Sequence, residues 1–149
     1  MAVISLMSCG QLHVVTLYVD TDKITPTTVD LHANFDQPKG IANKDFTTHV
    51  RKGDQVIWNA VSISNPSDVV RITSINHISG ERIFESKLSK VYPKSLTTKQ
   101  GFVKELFAGA IQMKPSKQEA YIVEKYGIEF TVDNKEGSFT IDPVLKAYR

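Results

Sequence analysis

The chain has 149 residues, a net charge of +2, 41% hydrophobic and 23% charged residues, and one cysteine. That length suits a single domain, long enough to bury about two-thirds of its unfolded surface. The composition argues against wholesale disorder, the charge is too small by itself to imply nucleic acid or an anionic membrane, and no run approaches the roughly 18 apolar residues of a membrane span.

The opening residues, MAVISLMSCG, are apolar and end in a weak likeness to a lipoprotein cleavage box. They lack the basic segment of a signal peptide, so residues 1–10 are read as an N-terminal arm and residues 11–149 as one domain. With Cys9 alone, no internal disulfide forms, which suits a reducing compartment and argues against a secreted, disulfide-stapled domain.

Leu12 to Asp20 reads as a strand with apolar residues on both faces, as a central strand has. Lys23 to Lys44 is a long, weakly patterned stretch, expected to hold short edge strands or to pack over one mouth of the fold. Asp45 to Val50 alternates Phe46, Thr48 and Val50 against Thr47 and His49, a half-exposed strand.

Arg51 to Phe84 is the organising stretch. Lys52-Gly53-Asp54 turns the chain and QVIWNAVSI follows, rich in β-branched and aromatic residues, with Trp58 as its core anchor. Asn65-Pro66-Ser67-Asp68 breaks the run, VVRITSINHI is the next strand, and Ser79-Gly80-Glu81 turns again. Turns spaced by roughly 12 to 15 residues favour an all-β sandwich, antiparallel and cupredoxin- or immunoglobulin-like, with at most one short helix.

A lysine-rich surface crossover runs to Lys99, and Gly101 to Met113 is read as a strand or one short helical turn. Ala120 to Val132 places Tyr126, Ile128, Phe130 and Val132 in period two. Asp133 to Gly137 forms a hairpin loop, Phe139 and Ile141 continue the alternation, and Asp142-Pro143 is expected to stop the final strand.

Chemistry is harder to find. His13, His32, His49 and His77 lie in separate segments without zinc-site spacing, and a cross-strand pair of His49 with His77 is the one arrangement to weigh. No nucleophile elbow, P-loop or dinucleotide fingerprint occurs, and Glu124 with Glu129, or Asp133 with Glu136, match ordinary solvated carboxylates. The chain is therefore read as a non-enzymatic protein without a cofactor or a metal. Residues 82–117 carry eight basic residues and two acids, with Phe84, Tyr92, Phe102 and Phe107 interleaved, whereas residues 1–50 carry five aspartates and three lysines. That polarity suits contact between copies of the chain, ranked above nucleic acid. The alternative is a lectin-like module holding carbohydrate on loops at one end. Its candidate residues are Asn34, Asp36, Asn65 and Tyr92, with Trp58 and Tyr126 as further rings for stacking on sugar.

KGDQVIWNAV resembles the Gly-Asp-x-Val-x-Trp strand opening of cupredoxin-like sandwiches, but a blue-copper site needs two histidines and a cysteine that this chain does not bring together. More broadly, VVTLYVDTDKI, KGDQVIWNAVSISNPSDVV, ISGERIF, EKYGIEFTV and GSFTIDPVL, in that order, resemble the inclusion-body protein family (PixA/AidA-like) from about Leu12 to Leu145. Members usually carry tryptophan before the final Asp-Pro, where this chain has Ile141. The resemblance implies a cytoplasmic bacterial β-sandwich that accumulates in bulk or under stationary-phase and quorum control. It implies no established enzymatic activity and carries over no functional residue. Self-association into a dimer or larger homo-oligomer is the first expectation, made through edge strands or the arm.

Overall fold

A computed structural model gives the fold, and it describes residues 10–85, 87–91, 97–98, 101–102 and 105–149. The elements run β1 (Leu12–Val19), α1 (Val29–His32), β2 (Ala33–Asn34), a 3-10 turn (Asn43–Asp45), β3 (Thr47–Arg51), β4 (Gln55–Ser62), β5 (Val70–Gly80), β6 (Ser89–Val91), β7 (Thr97–Thr98), β8 (Gly101–Phe102), β9 (Leu106–Ala110), β10 (Tyr121–Val132), β11 (Phe139–Ile141) and β12 (Val144–Tyr148). One sheet, A, has the order β2-β1-β4-β9-β6. The other, B, places β5 on one side of β10, β11 and β12 on its other side, and β3 beyond β12. The all-β expectation holds. The sheets are mixed, because β1 runs parallel to β4 and β3 parallel to β12.

Period two decides what is buried. Val15, Leu17 and Val19 of β1, Val56 and Trp58 of β4, Tyr126, Ile128, Phe130 and Val132 of β10, and Leu145 and Ala147 of β12 all point into one shared core. The centre of that core is a triad in which Trp58, Phe84 and Tyr126 meet edge to face at 5.5 to 5.8 Å between centroids. Trp58 and Tyr126 come from opposite sheets, and the Trp58 Nε1–H donates to the Tyr126 hydroxyl at 3.0 Å. Burial raises the Tyr126 phenol far above its ordinary value; the bond from Trp58 lowers it less, and the charge of Glu124 adds to the rise. The phenol stays neutral.

Glu124 is an acid buried in this core, 1% exposed. Its Oε1 accepts the amides of Ile83 (2.6 Å) and Phe84 (3.2 Å), and its Oε2 meets His77 Nδ1 at 2.6 Å. The carboxylate therefore fastens the segment bearing Phe84 to β10, which offsets the cost of burying a charge. A bulge at Ile78 sets this up: Tyr126 pairs with His77 and Lys125 with Ser79, so His77 turns inward. A second bulge leaves Thr73 unpaired and puts both Ile72 and Ile75 on the core side.

The stretch from Lys23 to Lys44 contributes α1 and the edge strand β2, and it buries Ile24, Val29, Ala33 and Phe35. Strand beats helix within Gly101 to Met113, since β9 pairs antiparallel with β4. Two expectations need correction. Asp142-Pro143 interrupts rather than ends the last strand: β11 and β12 hold the same register along β10 on either side of it. Proline removes one ladder donor, yet the Tyr126 amide still reaches the Pro143 carbonyl at 3.2 Å. In addition, β1 is not covered on both faces. Leu12 and Val14 are 57% and 58% exposed.

Replacing Tyr126 by Phe should strand the Trp58 N–H in the core and lower unfolding free energy by about 1 to 3 kcal/mol in a urea titration. Combined with Trp58→Phe, which removes the orphaned donor, the loss should be smaller than the sum of the two single losses.

Candidate functional site

Where β3 turns into β4, Gly53 adopts φ +96, a left-handed conformation open to glycine, and the chain reverses within Arg51-Lys52-Gly53-Asp54. The turn brings Asp54 back beneath the start of β1. There the carboxylate is 5% exposed and accepts three bonds: the Gln11 amide at 2.8 Å, the Arg51 amide at 2.9 Å and His13 Nε2 at 2.7 Å. Burial works to raise the Asp54 pKa. The bonds from His13, Arg51 and Gln11 outweigh it, so the group titrates below the ordinary carboxylate range. Further backbone bonds join Gly10 to Gly53 and Gln55 to Gln11.

Above this knot lies an open cleft of about 640 Å³, walled by Gln11, His49, Arg51, Lys52, Asp54 and Tyr148. β3 supplies His49 and Arg51 on its outward parity, and parallel β12 supplies Tyr148 directly opposite Arg51. The Tyr148 hydroxyl and His49 Nδ1 share a hydrogen bond of 3.0 Å, with the rings 5.6 Å apart. Beside them Lys146 holds its ammonium 3.8 Å above the Tyr121 ring, a cation–π contact on the outer face of sheet B. Among the described residues, no group of three His, Cys, Asp or Glu is placed to hold a metal ion. No helix among them is long and apolar enough to cross a membrane. What the cleft offers is two cations, Arg51 and Lys52, one phenol ring, hydrogen-bond donors and the Asp54 carboxylate in its floor.

The residues anticipated as ligand contacts do not gather there. Asn34 and Asp36 share a depression of about 370 Å³ at the far end of β1, and the Asn34 carboxamide oxygen accepts the Asp36 amide at 2.9 Å. Asn65 is engaged in its own turn, accepting from the Ser67 amide at 3.0 Å and donating to Asp68 at 3.3 Å. It sits against a buried hydroxyl cluster in which Thr21 contacts Ser62 at 2.8 Å and donates to Asp68 at 2.5 Å. Tyr92 and the residues before Gly10 lie outside the described residues. Trp58 and Tyr126 are fully buried and present no ring to a sugar. His49 and His77 do not pair: the first bonds Tyr148, the second Glu124. Glu124 is buried while Glu129 lies on the other parity of β10.

The cleft was hidden from sequence reading because Gln11, the Arg51–Asp54 turn and Tyr148 lie far apart in the chain. The available signal was parity. His49 and Arg51 alternate with buried Val50, and Tyr148 alternates with Ala147 in the strand that begins just after Asp142-Pro143.

A family model described as Domain of unknown function (DUF8788) matches residues 14–138. No curated protein matches the chain. Among solved structures, the crystal structure of an inclusion body protein (PixA) from Burkholderia cenocepacia J2315 is similar with a TM-score of 0.53 at 14% identity, over 96% of this chain and 98% of that one. The resemblance to inclusion-body proteins is thus carried by the fold.

Asp54→Asn should destabilise the fold by about 1 to 3 kcal/mol, because a carboxamide cannot accept three donors as the carboxylate does. With its folded pKa depressed, Asp54 stabilises above the unfolded value of about 3.9 and loses that contribution as pH falls through the folded value. Urea titrations from pH 7 to about 2.5 should therefore show a smaller acid-side loss in the variant than in the native chain.

Proposed function

We propose that this chain, which belongs to the family described as Domain of unknown function (DUF8788), is a non-enzymatic β-sandwich that works by associating with copies of itself. The observation that carries this reading is the outer face of sheet A. Val14, Ile57 and Ala108 lie side by side there, in adjacent strands β1, β4 and β9, with Leu12 next to them. Leu12, Val14 and Val91 of this face are 57%, 58% and 41% exposed. Ile57 and Ala108 are half-buried against Val61 and Leu106, so the open part of this face is its Leu12 and Val14 end. Exposed apolar surface marks interaction sites, and such a patch can meet its own copy across a two-fold axis.

Three sheet edges are poor sites for edge-to-edge contact, while β3 is an unbulged edge of five residues. β2 has two residues and β6 three, while β5 is bulged twice along its pairing with β10. Short and bulged edges discourage strand addition. The sequence leading into β1 is itself apolar through Ala2, Val3, Ile4, Leu6 and Met7. The neighbour of like fold is described as an inclusion body protein, and association of this chain agrees with that description. The carbohydrate reading has less support, because the depression around Asn34 and Asp36 has no aromatic ring in its lining.

Light scattering on size-fractionated protein should give a dimer or larger species. Leu12→Gln with Val14→Glu should leave the far-ultraviolet circular dichroism unchanged and weaken assembly at least about 100-fold, since each such side chain contributes about 1.5 to 3 kcal/mol when buried. A native chain that stays monomeric at every accessible concentration and salt level would overturn the proposal.

A further inference from the structure

We propose that the cleft between β1, β3 and β12 binds a small organic anion, a carboxylate or phosphate ester seated between Arg51 and Lys52 with its body against the Tyr148 ring. The inference does not depend on self-association, since the cleft belongs to a different surface from the apolar face of sheet A.

Charge points to the ligand class. Arg51 and Lys52 are both exposed and line the cleft, and neither has an ion-pair partner among the described residues. Asp54, the acid in the lining, sits in the floor with its two oxygens accepting from Gln11, Arg51 and His13, so two exposed cations face the cleft against one buried carboxylate. The carboxylate thus stiffens the turn that carries the two cations and leaves their donors open to an incoming group. A guanidinium and an ammonium on adjacent residues supply forked and point-like donors to an oxyanion.

Shape points the same way. A cleft of about 640 Å³ falls within the range of small-molecule sites rather than that of a bare inorganic ion. Its wall is a tyrosine held in place on both sides, by the hydrogen bond from its hydroxyl to His49 and by the Tyr121 ring 6.1 Å away. No acidic side chain projects from the outward positions of β3 and β12, which carry Thr47, His49, Arg51, Val144, Lys146 and Tyr148. A positive, preorganised wall with one aromatic surface selects an anion that has an apolar or planar body.

The test uses the full chain, isotopically labelled for amide NMR and titrated at about physiological salt, where loose ionic attraction is screened. Phenyl phosphate and benzoate serve as anionic probes and benzyl alcohol as the neutral one. Saturable shifts confined to Gln11, Arg51 to Asp54 and Tyr148 are expected with both anions, together with a loss of affinity of at least about tenfold in Arg51→Gln/Lys52→Gln. Lys114→Gln/Lys117→Gln, which removes cations elsewhere, should bind as the native chain does. Equal shifts with benzyl alcohol, shifts spread over every lysine and arginine, or affinity unchanged in the Arg51/Lys52 variant would each overturn the assignment.

Discussion

The two sheets are held in one arrangement by a hydrogen bond across the core, from the Trp58 indole of β4 to the Tyr126 hydroxyl of β10. Each group has a polar atom that is costly to bury alone, so burial of either ring demands the other at a set distance and orientation. Apolar packing by itself would tolerate some sliding of one sheet over the other. The bond does not, and the Phe84 edge contacts to both rings close the remaining freedom. Because Phe84 lies in a connecting segment, that segment must also be fixed, and Glu124 does this by accepting the amides of Ile83 and Phe84. A buried carboxylate is thus a consequence of the aromatic centre.

The same chain of requirements explains the irregularity of β5. Glu124 needs a partner for its second oxygen, and His77 reaches it because the bulge at Ile78 shifts the strand by one residue. Without that shift His77 would face outward and Ile78 inward. Gly80 pairs with Glu124 at the end of the strand at φ +80, and an added Cβ there would run into the Val123 carbonyl. The bulges carry a second benefit, since a twisted, interrupted edge is a poor template for another strand.

Much of this was legible in the sequence. The alternation around Trp58 and from Tyr126 to Val132 placed the core, and Gly53, Asn65-Pro66 and Asp133 to Gly137 placed the turns. What escaped reading was non-local. In VVRITSINHI the isoleucines at 72 and 75 break period two, and only the partner strand reveals that Thr73 is bulged. Asp142-Pro143 looked like a stop because proline lacks an amide hydrogen, yet the hairpin register continues past it through Val144. The parallel pairings of β1 with β4 and β3 with β12 join segments separated by whole strands, and local composition says nothing about them. The candidate cleft depends on the second of these pairings, so it was invisible for the same reason. Asn34 and Asn65 read as polar residues open to a ligand, whereas their carboxamides bond within their own turns.

A sandwich whose inner faces are filled can act only through its outer ones, and here the two outer faces differ in chemistry. Sheet A presents Leu12 and Val14, exposed at one end of a face whose Ile57 and Ala108 are half-buried against Val61 and Leu106. Sheet B presents Arg51, His49, Lys146 and Tyr148 along β3 and β12, and exposed Ile78, Tyr121 and Val123 along β5 and β10. The fold's alternation generates this division directly: each inward residue that builds the aromatic centre fixes an outward neighbour. The proposed association through Leu12 and Val14 and the proposed anion cleft at Arg51 therefore draw on different groups of the fold, apolar at one end of sheet A and cationic along β3 and β12 of sheet B.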